Sequence, residues 1–308
     1  MKIVFMGTPD FAVNALEALI NAGHEITGVF TQPDKPQGRK MVLTPPPVKA
    51  FAEGKGLKVF QPTTVRTDEA YELLRSLEPE LIAVVAYGKI IPENILNLPK
   101  YGCVNVHASL LPRHRGASPI QTAILVGDKE TGVATQQMDI GIDTGDILLS
   151  EKCEILTTDN FETLHDKLAV MGADLLVRTV DGLLNNTIKP QKQPEEGVTH
   201  CSIITKEMGQ IDFNKTANEI DCLIRAFTPW PSAYFFMNGK RVKVISATVG
   251  ESTNKSAGTV IDTKNVLTVA CGDGTSIVFN ELQPEGKAKM TAKALLNGYP
   301  LEVGASLI

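Results

Sequence analysis

KIVFMGTPDFAVNALEALINAGHEITGVF, residues 2–30, decides the fold. Its two ends, KIVFM (2–6) and EITGVF (25–30), are short apolar runs of strand character. Between them Asp10 can cap a helix that carries Phe11, Ala15 and Leu19 at helical spacing and stops at Gly23. Strand, helix, strand in so short a stretch is a βαβ unit, and its crossover makes the two strands parallel. LIAVVA (81–86) and CVNVHA (103–108) extend the strand series, with helical patterns separating several of its members. The alternation predicts an α/β class, a doubly wound, mostly parallel sheet of Rossmann-like kind. The first turn, GTPDFA, is not GxGxxG, so the pyrophosphate cradle of a dinucleotide fold is missing and a nicotinamide cofactor is not expected.

Farther along, NFETLHDKLAVMGADLLVRTVDGLL (160–184) predicts a long amphipathic helix, and the polar NNTIKPQKQPEEG that follows reads as a linker. Past residue 205 the pattern changes. One helical piece, TANEIDCLIRAF (216–227), precedes the alternating segments AYFFM, RVKVISATV, AGTVID, VLTVACG and TSIVFN, which predict a small antiparallel β-barrel of OB-like type. The expected organisation is a catalytic domain over 1–189, a linker over 190–204 and a C-terminal β-barrel domain over 205–308.

With 308 residues, 43% hydrophobic and 21% charged, the chain can bury two cores. Cys103, Cys153, Cys201, Cys222 and Cys271 form no CxxC or CxxH pair, so neither a zinc site nor a disulfide framework is expected. The apolar run in MKIVFMGTPDFAV is cut by Gly7 and Pro9, too soon for a signal peptide, and no later run predicts a membrane span. These features predict a cytoplasmic protein. The net charge of −5 is unevenly placed: residues 201–308 carry eleven Lys and Arg against ten Asp and Glu, leaving 19 against 25 in residues 1–200. Inside that acidic part, KPQGRKMVLTPPPVK (35–49) holds Lys35, Arg39, Lys40 and Lys49 and no acid. On charge alone this is an ordinary solvated loop.

The candidate chemistry sits in VNVHASLLP (104–112). Alternation along a strand puts Asn105 and His107 on one face while Val104 and Val106 fill the other, so an amide and an imidazole are aimed together. MDIGIDTGD (138–146) can bend sharply at Gly141 and Gly145 and offer a carboxylate. Asp143, mid-loop, is the first choice, with Asp139 and Asp146 as alternatives. Amide, imidazole and carboxylate together suit acyl-type transfer, with donors for a developing oxyanion. A buried, hydrogen-bonded core histidine is the plainer alternative. His114 and His165 lack a ligand spacing to this strand, and ASLLP is not a G-x-S-x-G elbow, so neither a metal site nor a serine nucleophile is expected.

These residues carry a resemblance. MGTPDFA (6–12), FTQPDKPQGRK (30–40), VVAYGKIIP (84–92), VNVHASLLPRHRGASPIQ (104–121), MDIGIDTGD (138–146) and AFTPWPSA (226–233) resemble the bacterial methionyl-tRNA formyltransferases, over essentially the whole chain. NxHxSLLP with DxGxDTGD marks the wider formyltetrahydrofolate transferase group, while GTPDFA, the TQPD loop and FTPWP point within it to the tRNA enzymes. The resemblance implies Asn105, His107 and Asp143 as catalytic residues. It implies folate contacts from Ser109, Leu110, Leu111 and Pro112, with Tyr87, Ile91, Asp139 and Gly141 walling the pteridine pocket. It also implies 10-formyltetrahydrofolate as formyl donor, initiator methionyl-tRNA as acceptor in translation initiation, no metal, and Lys35, Arg39, Lys40 and Lys49 on the acceptor stem. Here Arg39 and Lys40 run into Met41, Val42 and Leu43, a less basic loop than is usual in the family. A sugar-nucleotide formyltransferase would share NxHxSLLP but lack the GTPDFA start and the long 31–49 loop. A non-catalytic nucleotide-binding regulator would share only the sheet.

Overall fold

The computed structural model describes residues 1–38 and 40–308. The opening βαβ unit forms as β1 (Lys2–Gly7), α1 (Phe11–Asn21) and β2 (Glu25–Phe30). Asp10 caps α1 by accepting a hydrogen bond from the Phe11 amide at 3.0 Å. Phe11, Ala12, Ala15, Leu16 and Leu19 make its buried stripe, and the left-handed Gly23 (φ 82°) turns the chain out of it. Next come a hairpin, β3 (Lys35–Gln37) and β4 (Val42–Thr44), then α2 (Pro47–Gly54) and β5 (Val59–Phe60). The series continues with α3 (Asp68–Ser76), β6 (Leu81–Val85), α4 (Glu93–Leu96), β7 (Cys103–His107), β8 (Arg115–Gly116) and α5 (Pro119–Leu125). After these follow β9 (Glu130–Gln137), β10 (Asp146–Glu154), α6 (Phe161–Leu184) and β11 (His200–Cys201).

The main sheet has the order β10-β9-β7-β6-β1-β2-β5. Strands β5, β2, β1, β6 and β7 are parallel; β9 and β10 join antiparallel at one edge. Strand β6 is buried at every position and β1 at all but its first, which is what a parallel sheet covered on both faces requires. Each large aliphatic side chain fully buried this way contributes about 1.5–3 kcal/mol. One core cluster joins Val4, Met6, Phe30, Ile82, Val84 and Tyr87.

The chain divides into two compact units. The first comprises Met1–Pro119, Glu130–Glu154 and His165–Cys201, and the second Ile120–Lys129, Ile155–Leu164 and Ser202–Ile308. In the second, α7 (Ala217–Ala226) starts with a complete capping box between Thr216 and Glu219. It is followed by β12 (Tyr234–Met237), β13 (Lys240–Val249), β14 (Val260–Asp262), β15 (Leu267–Ala270), β16 (Ser276–Pro284), β17 (Met290–Thr291) and α8 (Ala292–Gly298). These strands form an antiparallel sheet of order β12-β13-β16-β15-β14, with β17 paired on β16. Its own core includes Phe213, Ile220, Phe235, Leu267, Phe279 and Leu295. Among the described residues no helix is long and apolar enough to cross a membrane.

The polar stretch read as a linker is tied down. Gln191 and Ile147 exchange both backbone hydrogen bonds at 2.8 Å, and β11 pairs in parallel with β8, His200 against Arg115 and Cys201 against Gly116. This segment belongs to the first unit as far as Cys201.

Candidate active site

Strand β7 carries two of the expected site residues. Asn105 is half-buried and His107 is buried, and both point to one side, as alternation requires. In the antiparallel partner β9, Gln136 stands directly opposite Asn105 and shares that face. The turn after β10's partner strand supplies the acid: Asp143, at a left-handed φ of 53°, brings its carboxylate to this cluster. Its Oδ1 lies 3.4 Å from Asn105 Nδ2, 3.5 Å from His107 Nδ1 and 2.8 Å from Gln136 Nε2. Its Oδ2 accepts from the Gly116 amide at 2.9 Å.

Of the three acids in this loop, geometry separates Asp143 from the others. Asp139 is exposed and its Oδ1 accepts from the Gly141 amide (3.0 Å) and the Thr144 hydroxyl (2.6 Å), so it shapes the loop. Asp146 opens β10, opposite Gln137. Only glycine fits at position 116: a Cβ there would lie 2.2 Å from the Cys201 carbonyl oxygen, at a φ of 119°.

The imidazole is used at both nitrogens. His107 Nε2 is 2.9 Å from the His114 carbonyl oxygen, an acceptor only, so Nε2 carries a proton and donates it there. Nδ1 is left facing Asp143. Two lone pairs meeting would hold the groups apart, and the 3.5 Å separation fits that; a proton arriving between them would bridge them.

The SLLP bend follows directly. Ser109 is fully buried and donates to the Arg113 carbonyl at 2.6 Å, and Leu111 is buried too. Leu110 and Pro112 are half-buried, and Leu110 packs where Gly132 has no side chain. Tyr87 and Ile91, expected as pocket walls, are instead packed into the core cluster, with only Ile90 of that segment's large side chains at the surface. The Tyr87 hydroxyl is buried with no hydrogen-bond partner, and burial pushes it up to about 12. Its carbonyl accepts from Thr8 Oγ1 and Gln32 Nε2, both at 3.1 Å.

Of the four bases in the 35–49 segment, Lys35 and Lys40 are exposed on the β3–β4 hairpin, beside Met41, Val42 and Leu43, which are also exposed. Arg39 lies outside the described residues. Lys49 is not part of that display. It sits on α2 with its ammonium on both oxygens of Asp34 (2.9 Å) and on Gln61 Oε1 (2.8 Å).

Sequence reading missed two residues that hold the acid. Gln136 lies in β9, where Thr131 and Thr135 are buried with it, and Gln193 lies in the polar stretch after α6, yet it too is buried. A cleft of about 510 Å³ opens beside Gln193, lined also by Arg115, Asp139, Thr144, Asp146 and Lys192. Among the described residues no three His, Cys, Asp or Glu converge as metal ligands.

Donors gathered around one carboxylate, at the end of a strand in a doubly wound sheet, define a group-transfer site, and known proteins agree on the group. Residues 1–180 match the formyl transferase family and residues 203–300 its C-terminal domain, and the chain belongs to this family. Over 314 residues it is 46% identical to the methionyl-tRNA formyltransferase of Lachnospira eligens, covering 100% of this chain and 99% of that one. The methionyl-tRNA formyltransferase of Caldanaerobacter subterraneus is 48% identical over 309 residues, with both chains covered in full at 100%. Among solved structures, WlaRD, a sugar 3N-formyl transferase crystallised in the presence of dTDP and 5-N-formyl-THF, superposes with a TM-score of 0.68 at 23% identity, over 94% of this chain and 99% of that one. At that identity the likeness is one of fold.

Proposed function

We propose that this chain transfers the formyl group of 10-formyltetrahydrofolate to the α-amino group of methionyl-tRNA, in the cytoplasm, at the start of translation. The observation that carries this reading is its full-length identity to two methionyl-tRNA formyltransferases, 46% and 48%. The catalytic domain would occupy 1–189 and the tRNA-contacting domain 205–308. 10-Formyltetrahydrofolate supplies the carbonyl carbon; as the amine adds, the carbonyl oxygen gains charge, the amine nitrogen sheds one proton, and N10 takes one proton when its bond to that carbon breaks.

Each residue has a part in that balance. Asn105 donates an N–H to the oxygen as its charge grows; its 3.4 Å hydrogen bond to Asp143 is long and uses only one of the amide's two N–H groups. Asp143 and His107 receive the amine's proton between Oδ1 and Nδ1, where the 3.5 Å gap closes around it; both N–H groups of the resulting imidazolium are then engaged, by Asp143 and by the His114 carbonyl, so His107 favours the charged oxygen through its positive charge. The same pair returns the proton to N10. Preorganised donors of this kind are each worth about 3 kcal/mol in the transition state. Ser109, Leu110, Leu111 and Pro112 make the bend against the folate, and Lys35 and Lys40 serve the acceptor stem, as the sequence expects of Arg39 too.

The deciding experiment offers the purified chain 10-formyltetrahydrofolate with charged methionyl-tRNA and, separately, with a UDP-amino sugar. Formyl-methionyl-tRNA is the expected product. Formylation of the sugar alone would overturn the reading, as would no formyl transfer to either.

A further inference from the structure

We infer that Gln193 is a positioning residue for the reaction, a clamp that holds Asp143 in its working conformation; this rests on the reading of Asp143 given above. Gln193 is buried although it lies in one of the most polar stretches of the chain, and every polar valence of its amide is used. Nε2 donates to the Asp143 carbonyl at 2.9 Å and to the Gly145 carbonyl at 2.7 Å. Oε1 accepts from Arg115 Nε at 3.1 Å and from Arg115 Nη2 at 2.7 Å. The partners fix which way the amide faces, since a flipped amide would set its oxygen against two carbonyls and its N–H groups against a guanidinium.

The clamp acts where the backbone needs holding. Asp143 is in the left-handed region (φ 53°), which residues with a Cβ visit uncommonly, Asp more readily than most, so its neighbours decide whether it stays there. That conformation sends the carboxylate to Gly116, Gln136, Asn105 and His107 and the carbonyl the other way, to Gln193. The contacts close a ring: the Arg115 side chain holds Gln193, Gln193 holds the Asp143 backbone, and the Asp143 carboxylate holds the amide of Gly116, the residue after Arg115. Loss of the two Nε2 bonds lets the Asp143–Gly145 turn relax and carries the carboxylate away from His107 Nδ1. A displacement of about 1 Å in such a group costs on the order of 100-fold in rate.

Two variants test this in the full-length chain. Gln193→Glu keeps an acceptor for Arg115, and so the anchor, but replaces both donors with an oxygen facing two carbonyls; Gln193→Leu removes every bond and serves as a second reading if the first folds poorly. The expected result for a folded variant is a fall in kcat of about 10- to 100-fold with the KM for 10-formyltetrahydrofolate within about twofold. Combined with Asp143→Asn, it should add less than about twofold to the loss caused by Asp143→Asn alone, because both changes disable one carboxylate. Parent kcat in folded Gln193→Glu, while Asp143→Asn is impaired, overturns the clamp and leaves the catalytic reading standing. Losses that multiply in the double variant also overturn it, since Gln193 would then act independently of Asp143. Parent kcat in Asp143→Asn overturns the catalytic reading and the clamp with it.

Discussion

Asn105 Nδ2 and His107 Nδ1 stand 3.4 and 3.5 Å from the same oxygen of Asp143: the amide's hydrogen bond to the acid is long, and the imidazole's one proton, on Nε2, goes to the His114 carbonyl. Asn105→Ala and His107→Ala should each lower kcat by two to three decades, or about 3–4 kcal/mol, with modest change in folate binding. Asp143→Asn should match them, because it keeps the shape and loses the proton acceptor. Single-turnover formylation with saturating folate measures all three, and full turnover in any of them removes that residue from the mechanism. Asn105 and His107 were legible because strand alternation is a strict geometric rule. Asp143 was legible only as one of three acids, since a left-handed φ selects it and local composition does not encode which residue of a Gly-rich loop adopts that φ. Gln136 and Gln193 were not legible at all. A buried amide in a strand or a polar tail looks the same, in hydropathy, as a solvated one.

The β3–β4 hairpin and helix α2 divide the bases of one short segment into two jobs. Lys35 and Lys40 are solvated, so if they hold phosphates, replacing either with alanine should make the slope of log affinity against log salt shallower by about one, nearly equally across tRNAs. Lys49→Ala should leave that slope unchanged. Its effect belongs to Asp34, whose carboxyl is held below the usual carboxylate range first by the Gln61 hydrogen bond and then by Lys49. A depressed carboxylate stabilises the fold above its unfolded pKa, and that contribution is lost as pH falls through the folded value. The urea midpoints of parent and Lys49→Ala should therefore differ at pH 7 and draw together as pH falls below the unfolded carboxylate value of about 3.9; a constant gap would detach Lys49 from Asp34. Strands β1, β2, β6 and β7 and helices α1, α6 and α7 were legible from their periods, α1 down to its Asp10 cap. Strand β9 was not, because Thr131, Thr135 and Gln136 are buried within it and break the apolar run by which a central strand is read.

Each unit has its own core, and the relatives align from end to end, so ligand binding should be read on the intact chain. At a hundredfold excess over its dissociation constant, 10-formyltetrahydrofolate should stabilise the fold by about 2.7 kcal/mol, raising the thermal midpoint by several degrees. Asn105→Ala should keep that rise while losing turnover; loss of both would make Asn105 a folate-binding residue rather than a transition-state donor. The two-part character of the chain was legible as a change of pattern near residue 205. The recruitment of Ile120–Lys129 and Ile155–Leu164 into the second unit was not, because contacts between distant segments leave no mark in local periodicity. The clamp on Asp143 has a consequence in time. Gln193 follows Asp143 by 50 residues, so a ribosome adding roughly 5–20 residues per second makes the acid some 3–10 s before the group that holds it. On that reading, a nascent chain that already contains Asn105, His107 and Asp143 lacks the group that aims the acid until synthesis nears the end of the first unit.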